Sequence, residues 1–114
     1  MQSDFRVQAH TDGQAVVIGV SGELDLASAP ALESELQAAV ASDATVLVLD
    51  LRDLQFMDST GLSVIVKTHQ RLADSDRRLC LVRGPQQVQR LLDLTGVAER
   101  LTLADTPEEI LNEV

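Results

Sequence analysis

Aromatic residues are almost missing from this chain: Phe5 and Phe56 are the only two, and Trp and Tyr are absent. A core without rings has to be assembled from Leu, Val, Ile and Ala. A chain so poor in rings also offers few stacking platforms for the bases of a single-stranded nucleic acid. Positive charge is scarce as well. Nine Lys and Arg face eighteen Asp and Glu, a formal net charge of -9. That balance argues against nucleic acid as a partner, because phosphates are bound by clustered Lys and Arg with release of counterions. It argues equally against anionic membrane surfaces, and it suits a partner with a basic surface. The single cysteine, Cys80, excludes an intramolecular disulfide. Within the apolar run Leu79-Cys80-Leu81-Val82 it reads as a small buried hydrophobe. No apolar run is long enough to span a bilayer, and residues 1–10 lack the apolar stretch of a signal peptide. The cytoplasm is therefore the expected compartment, with no direct insertion into a membrane.

The length, 114 residues, fits one domain covering residues 1–114, large enough to bury roughly two-thirds of its unfolded surface. Phe5, Val7 and Ala9 alternate with Arg6, Gln8 and His10, the pattern of a half-buried strand. A turn at 11–13 leads to a second strand at 15–20, its hairpin partner. Residues 21–26 are a transition, and a helix follows with Ser28 as N-cap and Pro30 in its first turn. Leu32, Leu36, Ala39 and Val40 share one face of that helix. The β-branched apolar run at 45–51 predicts a central strand covered on both faces, and 52–58 reads as irregular. A second helix begins at about Ser59, with Leu62, Ile65, Val66, His69 and Leu72 as its inner stripe. A strand at 78–82, a helix at 86–94 and a short strand at 101–103 come next. The last helix opens with Thr106 as N-cap, Pro107 at N1 and Glu109 completing a capping box. The order β-β-α-β-α-β-α-β-α predicts an α/β fold: a mixed sheet of four or five strands with right-handed crossovers, helices mainly on one side and one face incompletely covered.

The most informative segment is Phe56-Met57-Asp58-Ser59-Thr60-Gly61-Leu62, which joins a buried strand to a helix start. Asp58 and Ser59 are both good N-cap residues, and capping alone suffices to account for them. A helix start also leaves backbone N–H groups pointing outward, so that a phosphate esterified to Ser59 would find donors there. Asp25 lies in a loop where it could either orient a hydroxyl or a metal or cap its own turn. Other chemistries lack their residues. The chain has no Gly-rich Lys-Ser/Thr phosphate loop, no Gly-x-Ser-x-Gly elbow and no paired carboxylates on the β architecture of an aspartic protease. His10 and His69 have no metal-ligand spacing. Asp50, Asp53 and Asp58 superficially resemble the acidic cluster of a phosphoaspartate receiver, but the early hairpin does not fit that topology.

The Asp58-Ser59-Thr60-Gly61-Leu62 stretch after an apolar strand resembles the signature of STAS-domain anti-sigma factor antagonists. Gly22-Glu23-Leu24-Asp25 is similar to a second element of that family, and the likeness continues through Leu91-Leu92-Asp93-Leu94-Thr95-Gly96-Val97. The resemblance implies that Ser59 is the phosphorylated residue. It implies a partner surface of Asp25, Met57, Asp58, Ser59, Thr60 and Gly61. It further implies an anti-sigma factor of the GHKL serine-kinase type as partner, bound by the unphosphorylated form so that the sigma factor is released. A serine phosphatase would reverse the phosphorylation. Such a protein is a binder and a substrate, not an enzyme, and it needs no cofactor, metal or catalytic residue. The alternative within the same fold is an accessory STAS subunit of a membrane lipid-transport system.

One expectation rests on charge alone. The chain should show no submicromolar binding to duplex DNA or to RNA at physiological salt; a salt-dependent mobility shift in that range would contradict it.

Overall fold

The computed structural model describes residues 4–113. Strands β1 (Arg6–Asp12) and β2 (Ala15–Leu24) form the hairpin, followed by α1 (Ala29–Ala41), β3 (Val46–Met57), α2 (Ser59–Ala73), β4 (Arg78–Val82) and α3 (Gln86–Leu94). A 3-10 turn at Val97–Glu99 leads into β5 (Thr102–Ala104) and α4 (Pro107–Leu111). The five strands lie in the order β1-β2-β3-β4-β5; the first pair is antiparallel and the other three are parallel. Because the parallel strands are added one after another in the same direction, right-handed crossovers put α1, α2 and α3 on one face of the sheet. The expected element order and mixed sheet are thus realised, with five strands.

Alternation along the strands divides the core in two. On the helix side Ile18, Leu47, Leu49, Leu51 and Leu81 pack with Leu32, Leu36, Ile65, Leu72, Val88 and Leu92, all fully or almost fully buried. On the opposite side Ala15, Val17, Val46, Val48, Cys80, Val82 and Ala104 gather under Ile110 of α4. Burial pushes the Cys80 thiol pKa up, so the group stays protonated and apolar.

Several local readings need correction. β3 does not stop at 51 but runs to Met57, and β2 runs to Leu24. Their pairing shifts register between Gly19 and Ser21 and again between Gly22 and Glu23, where β3 carries an extra residue each time. These two bulges change the buried spacing of β3 from two to three, giving buried Leu51, Leu54 and Met57. A strand with that spacing looks irregular to a period-2 reading. Gly22 at the second bulge has φ +87°, and a Cβ there would lie 2.9 Å from the Asp4 carbonyl, so only glycine fits. In α2 the buried stripe is Gly61, Val64, Ile65, Thr68 and Leu72, while His69 sits half-buried at its edge. Thr68 is accommodated because its hydroxyl donates to the Val64 carbonyl at 2.8 Å. At α4, Thr106 accepts from Glu109 N as expected, but the Glu109 carboxylate accepts from Asp105 N, one residue before the capping-box position.

Arg77 supplies a contact that no local pattern announces. Its Nη1 donates to Val40 O at 2.8 Å and reaches Ser42 O and Ala44 O at 3.3 Å, and its Nε donates to Ser75 Oγ at 2.8 Å. One guanidinium thereby closes the carbonyl end of α1 and ties it to the α2–β4 loop. Arg77→Ala should lower the unfolding free energy by about 1–2 kcal/mol. Urea titration checks this; an unchanged midpoint and slope would contradict it.

Candidate functional site

The carboxyl end of β2 leads into α1 across residues 25–28 and that of β3 into α2 across Asp58 alone, so two helix starts lie side by side at one end of the sheet. Each is held by an aspartate. Asp58 has extended backbone geometry, and its Oδ1 accepts from Thr60 N at 2.9 Å and from Gly61 N at 3.3 Å. The Asp58 carbonyl accepts the first helical bond, from Leu62 N at 3.1 Å. At the neighbouring start Ser28 stands at the N-cap position of α1 as expected, but its side chain makes no capping bond to the helix, and the side chain that caps the turn is that of Asp25. Asp25 Oδ1 accepts from Ala27 N and Ser28 N, and Ser28 Oγ in return accepts from Asp25 N at 2.9 Å. This is a capping box with serine in the place of glutamate. The Asp25 carbonyl accepts from Ala29 N at 2.8 Å, and Ser28 Oγ also donates to Glu23 O at 2.8 Å. Of the two roles open to Asp25 in the sequence, the loop cap is the one formed.

The two starts are joined. Asp58 N donates to Leu24 O at 3.2 Å. Gly61 sits against Leu24 and Met57 so closely that a Cβ would lie 2.7 Å from Leu24 Cδ2 and 2.8 Å from Met57 Cγ. Glycine is needed here for close approach, not for backbone conformation.

Ser59 is exposed, and Asp25, Asp58 and Thr60 are half-buried. Met57 and Gly61, expected at the surface, are buried instead, Met57 at 6% exposure. Every third residue of the bulged β3 points into the helix-side core, and Met57 is one of them. Two apolar residues that the sequence reading did not assign to the partner surface stand out at this end of the sheet: Leu26, 76% exposed, and Phe56, 45% exposed. Phe56 could have been found, being one of two aromatics and lying two residues before Asp58; Leu26 carries no such signal. A second correction concerns the helix start. Its N–H groups do not all await an anion, because the Asp58 carboxylate already takes those of Thr60 and Gly61. Among the described residues, no group of three or more His, Cys, Asp or Glu is placed to hold a metal ion. Likewise no described helix is long and apolar enough to cross a membrane.

A mixed sheet with two acid-capped helix starts at the carboxyl end of its parallel strands, and exposed apolar residues beside them, defines a class of small α/β domain that presents a surface. The sequence model of the STAS domain family matches residues 6–110, and the chain belongs to that family. A curated relative, anti-sigma-F factor antagonist RsfB of Mycobacterium tuberculosis, is 32% identical over 98 residues, covering 86% of this chain and 80% of its own. The crystal structure of an anti-sigma factor antagonist from Mycobacterium paratuberculosis superposes with a TM-score of 0.89 at 30% identity, covering 97% of this chain and 94% of its own. The Bacillus cell fate determinant SpoIIAA in its phosphorylated form shares the fold, with a TM-score of 0.73 at 23% identity over 96% of this chain and 97% of its own.

The site geometry can be tested without a partner. Asp58→Ala removes two capping bonds and should cost about 1 kcal/mol. Gly61→Ala forces a methyl against two buried side chains and should cost about 1–3 kcal/mol. Denaturant unfolding measures both. If Gly61→Ala proved neutral, the close packing of the α2 start on Leu24 and Met57 would be wrong.

Proposed function

We propose that this protein is an anti-sigma factor antagonist, cytoplasmic and without catalytic activity of its own, that binds an anti-sigma factor through the end of the sheet bearing Ser59. The observation that carries the reading is the exposed Ser59 directly after the Asp58 cap. The antagonist relatives add support at the level of family. Leu26 and Phe56 supply apolar area for a protein partner, with Asp25, Asp58, Ser59 and Thr60 as the polar part of the surface. Met57 and Gly61 serve from beneath, by fixing where α2 begins. Phosphorylation of Ser59 by a GHKL-type serine kinase, the anti-sigma factor itself, then reverses binding, and a serine phosphatase restores it.

The physical case for a switch at Ser59 is electrostatic. A phosphoserine carries about -1.5 to -2 charges. With Asp58 already on the Thr60 and Gly61 N–H groups, the phosphate lies beside a carboxylate and projects outward. A dianion placed ~5 Å from one partner carboxylate feels ~1–3 kcal/mol of repulsion per unit charge pair. Desolvating it adds to this. A total of ~3–5 kcal/mol lowers affinity by ~10²–10⁴-fold, while the fold is retained.

The test uses immobilised wild type and Ser59→Ala in lysate of the source organism, with mass-spectrometric identification of what is captured. Both should retain a GHKL-type kinase. Added ATP should release it from wild type, with phosphate mapped to Ser59, and leave it on Ser59→Ala. Ser59→Asp should bind with intermediate strength, since one charge replaces nearly two. Phosphate on Thr60, release that does not need Ser59, or capture of a transporter permease instead would defeat the reading.

A further inference from the structure

The sheet has two edges. β5 is three residues long and is followed at once by α4. β1 is seven residues long, and all of them are exposed except the half-buried Val7. Among the described residues no strand lies on its outer side; a strand of that length then presents unpaired backbone N–H and C=O groups, and natural proteins blunt such edges with proline, charged side chains (lysine above all) or a bulge. β1 has neither Pro nor Lys, its charges Arg6 and Asp12 stand only at its two ends, and its pairing with β2 runs unbroken from Arg6↔Ser21 to Asp12↔Ala15. The edge is therefore open to pairing.

Its sequence specifies the occupant. Laid antiparallel against a copy of itself and centred on Ala9, Arg-Val-Gln-Ala-His-Thr-Asp is self-complementary. Arg6 opposes Asp12 of the second copy, Val7 opposes Thr11, Gln8 opposes His10, and Ala9 meets its own counterpart. Residues directly opposite across an antiparallel pair point to the same side of the sheet. Arg6–Asp12 and Gln8–His10 would thus lie on the sheet face away from α1 to α3, each occurring twice by symmetry. Val7–Thr11 and Ala9–Ala9 would lie on the helix side. The strand itself is neutral, with Arg6 balancing Asp12, on a chain whose net charge is -9. It is thus a stretch where two copies can approach without facing like charges.

We infer that β1 is a self-association surface through which two copies pair about a two-fold axis at Ala9, forming one continuous ten-stranded sheet (twice the five strands of one copy). The axis reverses strand direction, so the two Ser59 surfaces lie at opposite ends of the joined sheet. The inference is independent of the function proposed for them.

Charge reversal tests the register. In sedimentation equilibrium of the full chain up to submillimolar concentration, wild type should show a reversible dimer. Arg6→Asp and Asp12→Arg should each raise the dissociation constant by at least about tenfold, because each turns two attractive cross-strand pairs into repulsive ones. The double variant Arg6→Asp/Asp12→Arg should return it to near the wild-type value. As a second readout, Ala9→Cys should give a disulfide-linked dimer on mild oxidation, with wild type as control because its Cys80 is buried. A wild type that stays monomeric, single reversals without effect, a double variant that fails to recover, or an Ala9→Cys chain that does not cross-link would each overturn the inference.

Discussion

The hydrogen bonds from Thr60 N and Gly61 N to the Asp58 carboxylate fix the start of α2, and the arrangement of the site depends on that start. Asp58 also ties backward, through its own N–H to Leu24 O, so the cap belongs to both β2 and α2. Gly61 lets the first turn of α2 come down onto Leu24 and Met57 without a side chain between. Within four residues, one carboxylate sets the backbone, one glycine sets the distance to the sheet, and the hydroxyl of Ser59 is left facing water. The motif spacing is thus a structural requirement before it is a functional one. Capping and function need not compete as explanations of Asp58: the cap presents the serine.

The neighbouring start uses the same device in another form. Asp25 and Ser28 exchange reciprocal bonds to each other's backbone and side chain, and Ser28 Oγ reaches on to Glu23 O. These bonds hold the β2–α1 connection to one shape and leave Leu26 projecting at 76% exposure from its middle. An apolar side chain so exposed, on a loop so fully hydrogen-bonded, presents its surface with little left to order on binding. On the proposed reading, rigidity at both helix starts makes this end of the sheet a preformed surface.

Much of this was legible in the sequence, and the parts that were not share physical causes. Element order, the hairpin, the helix caps at Asp58 and Thr106, and the buried run at 46–51 all follow from local pattern. The second half of β3 did not, because two bulges convert its buried spacing from two to three, and bulges are a property of the pair of strands. Missing them also misplaced Met57: with the spacing wrong, its direction could not be known. His69 was set too deep for a related reason. The inner stripe of α2 is defined by what packs on it, and it admits Thr68, whose hydroxyl is satisfied within the helix, ahead of an imidazole. Arg77 was invisible because its three carbonyl partners lie more than thirty residues earlier in the chain.

The Asp58 cap also bears on how a switch at Ser59 can operate. An uncapped helix N-terminus would draw a phosphate inward onto its N–H groups, where the dipole contributes about 0.3–1 kcal/mol in its favour. Burying the group in that way would tend to hide the charge from a partner. Here two of those donors are committed to a carboxylate that is part of the fold. For the phosphate to claim them, Asp58 would have to give up its cap, at a cost of about 1 kcal/mol, and two anions would then crowd the same corner. On the proposed reading the outward position would therefore be the favoured one, and the charge would be displayed at the surface beside Asp58 instead of being absorbed by the helix. The same carboxylate that builds the helix start would keep the phosphate accessible both to a partner that must sense it and to a phosphatase that must remove it.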